Sequence, residues 1–293
     1  MNHDGTISWA ALFDEASARL AAVSADPRID ARRILEQVGG IEPAQFSSTL
    51  DELVTTRQMV AYDRMIERRL TGEPLQYVVG SWSFRLLDLY LDRRVLIPRP
   101  ETEIVTEHAL AEHDRSVQAR GAREGVVVDL GTGSGAIALS VAVERRGTQV
   151  WATDVSADAL AVAQANCAGL GRVARHVTLV HGNWFDPLPE SLRGVVDVIV
   201  SNPPYVAADD ELPAEVRDWE PVEALVPGPR GLEAYESIVV HAPEWLAVTG
   251  ALVLEIGAAQ RAAVRELVLD SGFASAEVHA DLAGRDRVVV ARR

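Results

Sequence analysis

The stretch of this 293-residue chain with the most specific chemistry is Ser201-Asn202-Pro203-Pro204-Tyr205, which follows directly on the apolar run Val195 to Val200. Two prolines remove two backbone donors and stiffen the turn, leaving the Asn202 side-chain carbonyl and the Pro203 main-chain carbonyl as acceptors aimed together. Such a pair selects a group with two N–H bonds. A planar NH2, whether an amide or an exocyclic amine, has its lone pair delocalised and is a poor nucleophile. Hydrogen bonds to two fixed acceptors orient it, favour a pyramidal nitrogen and stabilise the positive charge that develops as it attacks. Tyr205 adds a ring face on which a planar group can stack and whose quadrupole tolerates a nearby cation. Asn-Pro-Pro-Tyr also occurs as a mere turn, so its meaning depends on what lies upstream.

Upstream lies Asp129-Leu130-Gly131-Thr132-Gly133-Ser134-Gly135, after the short apolar strand Val126-Val127-Val128. Glycines at a strand-to-helix turn let backbone approach a ligand closely, at the sheet edge where open α/β folds bind ligands. Dinucleotide enzymes use G-x-G-x-x-G, and here the third glycine comes one residue too early. The spacing favours S-adenosylmethionine, which has no pyrophosphate to cradle; tight helix–strand packing is the competing reading of the same glycines. With that cofactor, the group attacked by the NH2 is a methyl on a cationic sulfonium.

Asp154 ends the next strand, about 20 residues on, where a carboxylate can accept both ribose hydroxyls of a nucleoside. The alternative is a cap for the following helix. After the third strand comes Gly182-Asn183-Trp184-Phe185. Here Asn183 could meet adenine N6 and Trp184 cover a ring, or the pair could be an Asn turn and a buried indole. Glu255, at the end of its strand, is either close to the site or an edge carboxylate or helix cap. Cys167 sits in a helical segment with no evident base beside it and reads as a core thiol. The seven His show no metal-ligand spacing, so no metal is assigned, and no G-x-S-x-G elbow occurs.

These residues need a scaffold. Alternating apolar strands and helices run from Val126 to Ile256: Ala136 to Val143, Ala157 to Ala168 and Leu232 to Leu246 as helices, Gln149 to Thr153, Val177 to Val180, Val195 to Val200 and Leu252 to Ile256 as strands. Continuous apolar strands separated by helices mean a parallel α/β sheet covered on both faces. Phe273 to Val278 and Val288 to Ala291 form an antiparallel finishing pair. Before the sheet comes a small helical bundle. Its stripes are Trp9, Leu12, Phe13, Ala16, Leu20 and Val23, with Ser8 as N-cap; Ala31, Ile34, Leu35 and Val38, between Pro27 and Gly39-Gly40; and Met59, Tyr62, Ile66 and Leu70. Arg64, Arg68 and Arg69 there offer a partner-binding patch or, more ordinarily, a solvated helix face. Alternation at Leu87, Leu89 and Leu91, flanked by Trp82, Phe84 and Val95-Leu96-Ile97, gives a β-hairpin linker. Pro98-Arg99-Pro100 stops it, and Glu101-Thr102-Glu103 opens a helix with acids where its dipole favours them.

Composition narrows the setting. Lys plus Arg number 28 against 43 Asp plus Glu, a net charge of −15, which counts against a chain that lives on nucleic acid and favours a protein partner. One cysteine permits neither an intrachain disulfide nor a cysteine zinc site, and fits a reducing, cytoplasmic compartment. No run of about 18 apolar residues exists, and Asn2-His3-Asp4-Gly5 does not open a signal peptide.

Taken together, the motifs resemble the protein-(glutamine-N5) methyltransferase family that modifies class I peptide chain release factors, the PrmC/HemK group. The resemblance covers nearly the whole length. It rests on Asp30-Ala31-Arg32, on Arg69 to Tyr77 with its Gly72-Glu73-Pro74, and on Leu96-Ile97-Pro98-Arg99-Pro100-Glu101-Thr102-Glu103. The Asp129 to Gly135 loop, Asn202 to Tyr205, and Glu220-Pro221 leading to Gly231-Leu232 complete it. The tetrad alone is shared with adenine and cytosine amino-methyltransferases; the Gly-Glu-Pro and Pro-Arg-Pro-Glu-Thr-Glu segments are much narrower. The resemblance implies a Rossmann-like class I S-adenosylmethionine-dependent methyltransferase domain (99–293), a helical substrate-docking domain (1–77) and the hairpin linker (78–98). It implies transfer of methyl to the glutamine amide of the Gly-Gly-Gln loop, leaving S-adenosylhomocysteine. Gly131, Thr132, Gly133, Ser134, Gly135, Asp154, Trp184 and Asn202 would contact the cofactor, and Asn202, Pro203, Pro204 and Tyr205 the glutamine. Two departures stand out: Asn183 where members often carry Asp, and Pro229-Arg230 where a Gly-flanked acidic step is common. The rival readings are a nucleic-acid adenine N6-methyltransferase, which needs a basic platform for a flipped base, and a non-catalytic cofactor-binding protein.

Overall fold

A computed structural model describes residues 6–293; the Asn2 to Gly5 reading lies outside the described residues. By packing, the described residues form two compact units, 6–82 with 214–219, and 83–213 with 220–293.

The first unit opens with α1 (Trp9–Leu20), α2 (Pro27–Gly39), α3 (Phe46–Thr49), α4 (Thr56–Leu70) and α5 (Leu75–Val79). Local chemistry sets the ends. Ser8 Oγ accepts the Ala11 N–H, Asp26 caps α2 ahead of Pro27, and Gly40 closes it at φ +61°. Thr55 and Gln58 form a reciprocal capping box on α4. The expected stripes converge, with Leu12, Leu20, Ile34, Leu35, Tyr62 and Ile66 fully buried.

The arginines of α4 require a correction. Arg69 is 5% exposed; its guanidinium donates to Asp30 at 2.8 Å and to the Glu73 and Val23 carbonyls, and pairs with Glu215 at 2.8 Å. Arg68 donates to both Glu73 oxygens and to the Tyr77 and Val78 carbonyls. Arg69 is thus an internal brace rather than part of a patch or a solvated face, and Arg68, still partly exposed, braces the same turn at Gly72; Arg64 is exposed. A buried guanidinium needs this many acceptors to offset its lost hydration.

The second unit holds most of the hairpin β1 (Ser81–Phe84) and β2 (Leu87–Tyr90), then α6 (Pro100–Ala119), β3 (Val126–Leu130), α7 (Ala136–Glu144), β4 (Gln149–Asp154), α8 (Ala157–Leu170), β5 (Val177–His181) and β6 (Val196–Ser201). After the first unit's α9 (Ala214–Arg217) come α10 (Glu233–Trp245), β7 (Leu246–Glu255), α11 (Arg261–Asp270), β8 (Ser275–Ala280) and β9 (Asp286–Arg292). The seven-stranded order is β5-β4-β3-β6-β7-β9-β8; the first five are mutually parallel, and β9 joins β7 and β8 antiparallel. Successive strand residues face opposite ways. Val198 and Val200 pack with Val105, Leu110 and Ile137, whereas Ile199 packs with Tyr235, Ile238 and Val264. Strand β7 starts six residues before the apolar run that announced it. Val248 is 84% exposed, and Gly250 lies so close to β6 that a Cβ there would stand 2.8 Å from the Val196 carbonyl.

Candidate active site

The parallel register brings the strand tips level: Leu130 pairs with Thr153 and Ser201, Asp154 with His181, and Ser201 with Leu254. Strand order reverses between β3 and β6, so the glycine loop and the Asn-Pro-Pro-Tyr loop leave adjacent strands on either side of the topological switch point, where such sheets bind ligands. The Ser201 hydroxyl donates to the Leu130 carbonyl at 2.7 Å and locks the two tips together.

In the glycine loop, Gly131, Gly133 and Gly135 have φ of +71°, +56° and +85°, a region L side chains avoid. The Gly131 and Thr132 N–H groups donate to the Thr153 carbonyl. Asp129 Oδ2 accepts from the Thr132 hydroxyl at 2.7 Å and from the Ala138 N–H, while its Oδ1 is buried without a partner among the described residues. Burial, partly opposed by those two bonds and reinforced by nearby Asp154, pushes the Asp129 carboxyl up to about 7. Asn166 of α8 fastens the loop from behind, donating to the Ser134 and Tyr90 carbonyls while its Oδ1 accepts the Tyr90 N–H.

Asp154 accepts the Gly133 N–H at 2.8 Å and the Ser156 N–H at 2.9 Å; burial raises its pKa, against the pull of these bonds. The cap of α8 is Ser156, whose hydroxyl accepts the Ala159 N–H. Trp184 has φ +44°, held by the Thr153 hydroxyl on its carbonyl, and its ring lies 3.5 Å from where a Gly131 Cβ would stand. Gly131, Gly133, Asp154 and Trp184 are thus brought together, while Asn183 beside them is exposed. Cys167 is half-buried, and burial raises its thiol.

In the tetrad, Pro203 is buried and Asn202, Pro204 and Tyr205 half-buried. The Asn202 Nδ2 donates to the Thr102 hydroxyl at 3.3 Å, which leaves Oδ1 as the end open to a ligand. Neither Asn202 Oδ1 nor the Pro203 carbonyl accepts a hydrogen bond among the described residues. Three groups pin Tyr205. Gln260 Nε2 donates to its carbonyl at 2.9 Å and to the Gly231 carbonyl at 3.1 Å; the phenol donates to Glu255 at 3.3 Å; and Arg287 donates to the phenol at 3.4 Å. Burial and the Glu255 charge raise the phenol's pKa. Glu220 is a second brace, accepting from the Ile97 N–H and from Arg99 at 2.6 Å in the Pro-Arg-Pro segment.

Thr102, Gln260 and Arg287 carry no separate signal in the sequence, since they reach the tetrad across 100, 55 and 82 residues. Glu255, which the sequence leaves between a site residue and an edge carboxylate or helix cap, lies at the site. Among the described residues no cluster of His, Cys, Asp or Glu could hold a metal, and no helix is long and apolar enough to cross a membrane.

Residues 11–80 match the family model of the PrmC N-terminal domain, and residues 110–217 that of the methyltransferase small domain. Among solved structures, the chain is similar to a methyltransferase from Pyrococcus furiosus (TM-score 0.50, 19% identity, 71% of this chain and 89% of that one). It is also similar to the hMettl16 catalytic domain solved with an RNA hairpin (TM-score 0.53, 14% identity, 83% and 84%). At these identities the likeness shows the fold alone. Curated relatives reach much further. A release factor glutamine methyltransferase of Cereibacter sphaeroides is 43% identical over 94% of both chains, and one of Agrobacterium fabrum 37% identical over 99% of this chain and 98% of its own. Similar from end to end to enzymes of that name, with the glycine loop and the acceptor tetrad on neighbouring strand tips, the chain belongs to the release factor glutamine methyltransferase family.

Proposed function

We propose that this enzyme transfers a methyl group from S-adenosylmethionine to the side-chain amide nitrogen of the glutamine in the Gly-Gly-Gln loop of class I peptide chain release factors, in a cytoplasmic setting. One observation carries the reading. Asn202 is tethered by its Nδ2, so its Oδ1 and the neighbouring Pro203 carbonyl are both free to accept, one strand away from the glycine loop.

The residues fit the cofactor. Among the described residues nothing lies within 4 Å of a would-be Gly133 Cβ, which leaves its surroundings open to a ligand. Asp129 Oδ1 is a buried acceptor without a donor among the described residues, and Asp154 offers carboxylate oxygens beside Gly133. Gly131 to Gly135, Asp154 and Trp184 would hold it, with Asn183 at its exposed rim. Bound there, S-adenosylmethionine supplies an electrophilic methyl carbon on a sulfonium and departs as S-adenosylhomocysteine.

The chain's own groups do the rest by positioning and charge stabilisation. Asn202 Oδ1 and the Pro203 carbonyl accept the two N–H bonds of the glutamine amide, turn its nitrogen towards the methyl and stabilise the positive charge growing on it. Pro204 keeps the turn stiff, and the Tyr205 ring offers a face for the planar amide. No covalent enzyme intermediate is needed, and the surplus proton on nitrogen passes to water. The test is incubation with radiolabelled S-adenosylmethionine and purified release factors, with peptide mass analysis to locate the label. Methyl on the Gly-Gly-Gln glutamine supports the reading; label on nucleic acid, or none on any protein, contradicts it.

A further inference from the structure

Resting on that reading of the reaction, we propose that Glu255 is the positioning residue of the acceptor pair, setting which way the Asn202 amide faces through the Thr102 hydroxyl and holding the Tyr205 ring through its phenol. Glu255 is the last residue of β7, one position beyond Leu254, which is level with Ser201, and it is 1% exposed. Its Oε2 accepts from Thr102 Oγ1 at 2.7 Å and its Oε1 from the Tyr205 phenol at 3.3 Å. A threonine hydroxyl has one hydrogen. Spent on Glu255, it leaves Thr102 only lone pairs for Asn202, so Asn202 must present Nδ2 there and Oδ1 to the substrate. The flip of a carboxamide is thereby fixed by a charge two hydrogen bonds away.

Protonation of Glu255 undoes this logic. A protonated Oε2 donates to Thr102, which frees the threonine hydrogen to seek an acceptor, and the amide that turns to provide one directs its NH2 at the substrate's own N–H bonds. Asn202 then repels the group it should hold. The groups facing Glu255 are Thr102 and Glu101 of α6, Tyr205 of the tetrad loop, Arg287 of β9 and Tyr235 of α10, whose phenol donates to the Glu255 main-chain carbonyl. Arg287 spreads its guanidinium over the Ile256 carbonyl, the Tyr205 phenol and Asp281 and makes no ion pair with Glu255. Burial therefore prevails over the Thr102, Arg287 and Tyr205 interactions, with Glu101 adding to it, and pushes the carboxyl up to about 7.

The experiment combines kinetics with a readout that needs no substrate. The chain has four asparagines, Asn2, Asn166, Asn183 and Asn202, so selective 15N labelling gives four side-chain amides, and Asn202 is assigned by its loss in Asn202→Ser. Its NH2 signals should shift with a midpoint near pH 7 in the wild type and stay still in Glu255→Gln. In steady state, Glu255→Gln and Thr102→Val should each lower kcat at least tenfold, leave the KM for S-adenosylmethionine within about threefold and abolish the acidic limb of kcat near pH 7. Thr102→Ser should restore both. Thr102→Val keeps the volume of the side chain, so it guards against a fold defect in the Glu255 variant. A folded Thr102→Val with wild-type kcat and acidic limb overturns the proposal, as does an Asn202 amide that ignores pH between 6 and 8. A wild type that labels no release factor overturns the reaction reading instead, and the amide titration still decides the positioning.

Discussion

Gly231 lies 26 residues after Tyr205 in the chain yet touches it, and replacing it with alanine should cripple the tetrad without touching the cofactor loop. The backbone at Gly231 has φ +70°, and a Cβ there would stand 2.6 Å from the Tyr205 carbonyl oxygen, 3.0 Å from the Ala207 nitrogen and 3.2 Å from the Tyr205 carbonyl carbon. All three are backbone atoms, so no flexible side chain can yield. The left-handed conformation costs alanine about 1–2 kcal/mol. Moving the Tyr205 carbonyl strains or breaks its bond from Gln260, worth about 0.5–1.5 kcal/mol. Together, Gly231→Ala should lose about 1.5–3.5 kcal/mol of stability in urea unfolding. A displacement of about 1 Å in a positioning group can lower turnover about 100-fold, and that is the fall in kcat we expect for labelled methyl transfer to release factor. Calorimetric affinity for S-adenosylmethionine should hold, because the Thr153 and Asn166 bonds that shape the glycine loop are separate from Gly231. A folded Gly231→Ala enzyme with kcat within twofold of the wild type would refute the claim that this contact sets the tetrad.

Other perturbations separate the parts of the site. Gly133→Ala, at φ +56° and facing open space, should weaken S-adenosylmethionine binding at least tenfold in calorimetry while the protein stays folded; unchanged affinity would remove the loop from the cofactor site. Asp197 is fully buried at the far end of β6 from the tetrad, accepting from Nε and Nη2 along one edge of the Arg120 guanidinium, from the Ser116 hydroxyl and from the Val126 N–H. Asp197→Ala should cost about 3 kcal/mol in urea unfolding while leaving kcat intact at temperatures where the protein is folded. Asp129 and Glu255 are both raised to about 7 by burial. Between about pH 4 and 7 the folded state then holds more protons than the unfolded one, so stability falls as pH rises through that window and levels off above it. At about 1.4 kcal/mol per pKa unit, the drop for the two groups is several kcal/mol, and Glu255→Gln should remove roughly half of it; urea midpoints flat from pH 5 to 8 would contradict the burial of these carboxyls.

The parts of the molecule visible in the sequence are those whose signal is local. Helix starts such as Ser8 before α1 and Pro27 in the first turn of α2, the apolar runs of β3 and β6, and the glycine and proline loops each declare themselves within a few residues. Elements with no local signature escaped. Helix α11 has only Val264 and Val268 fully buried among ten residues, and α3 and α5 are too short to show a period. In the site, the acceptor tetrad was legible because Pro203 and Pro204 state their backbone consequences outright. The residues that aim it were not. Thr102 and Gly231 stand in motifs that carry the resemblance, but their hold on the tetrad, like that of Gln260, shows only when the sheet brings strand tips together, and Arg69 reads as a surface charge until Asp30, Glu73 and Glu215 surround it. Glu255 stayed ambiguous because a strand-terminal carboxylate looks the same whether it caps a helix or holds a catalytic loop.

The acceptor pair itself is tested most directly by single-turnover methyl transfer to release factor from saturating S-adenosylmethionine, comparing the wild type with Asn202→Ala. In Asn202→Ala the rate of transfer should fall more than about 100-fold, as for the loss of a preorganised charge-stabilising contact, while cofactor affinity changes far less. Transfer to the glutamine at the wild-type rate by the alanine variant would contradict it.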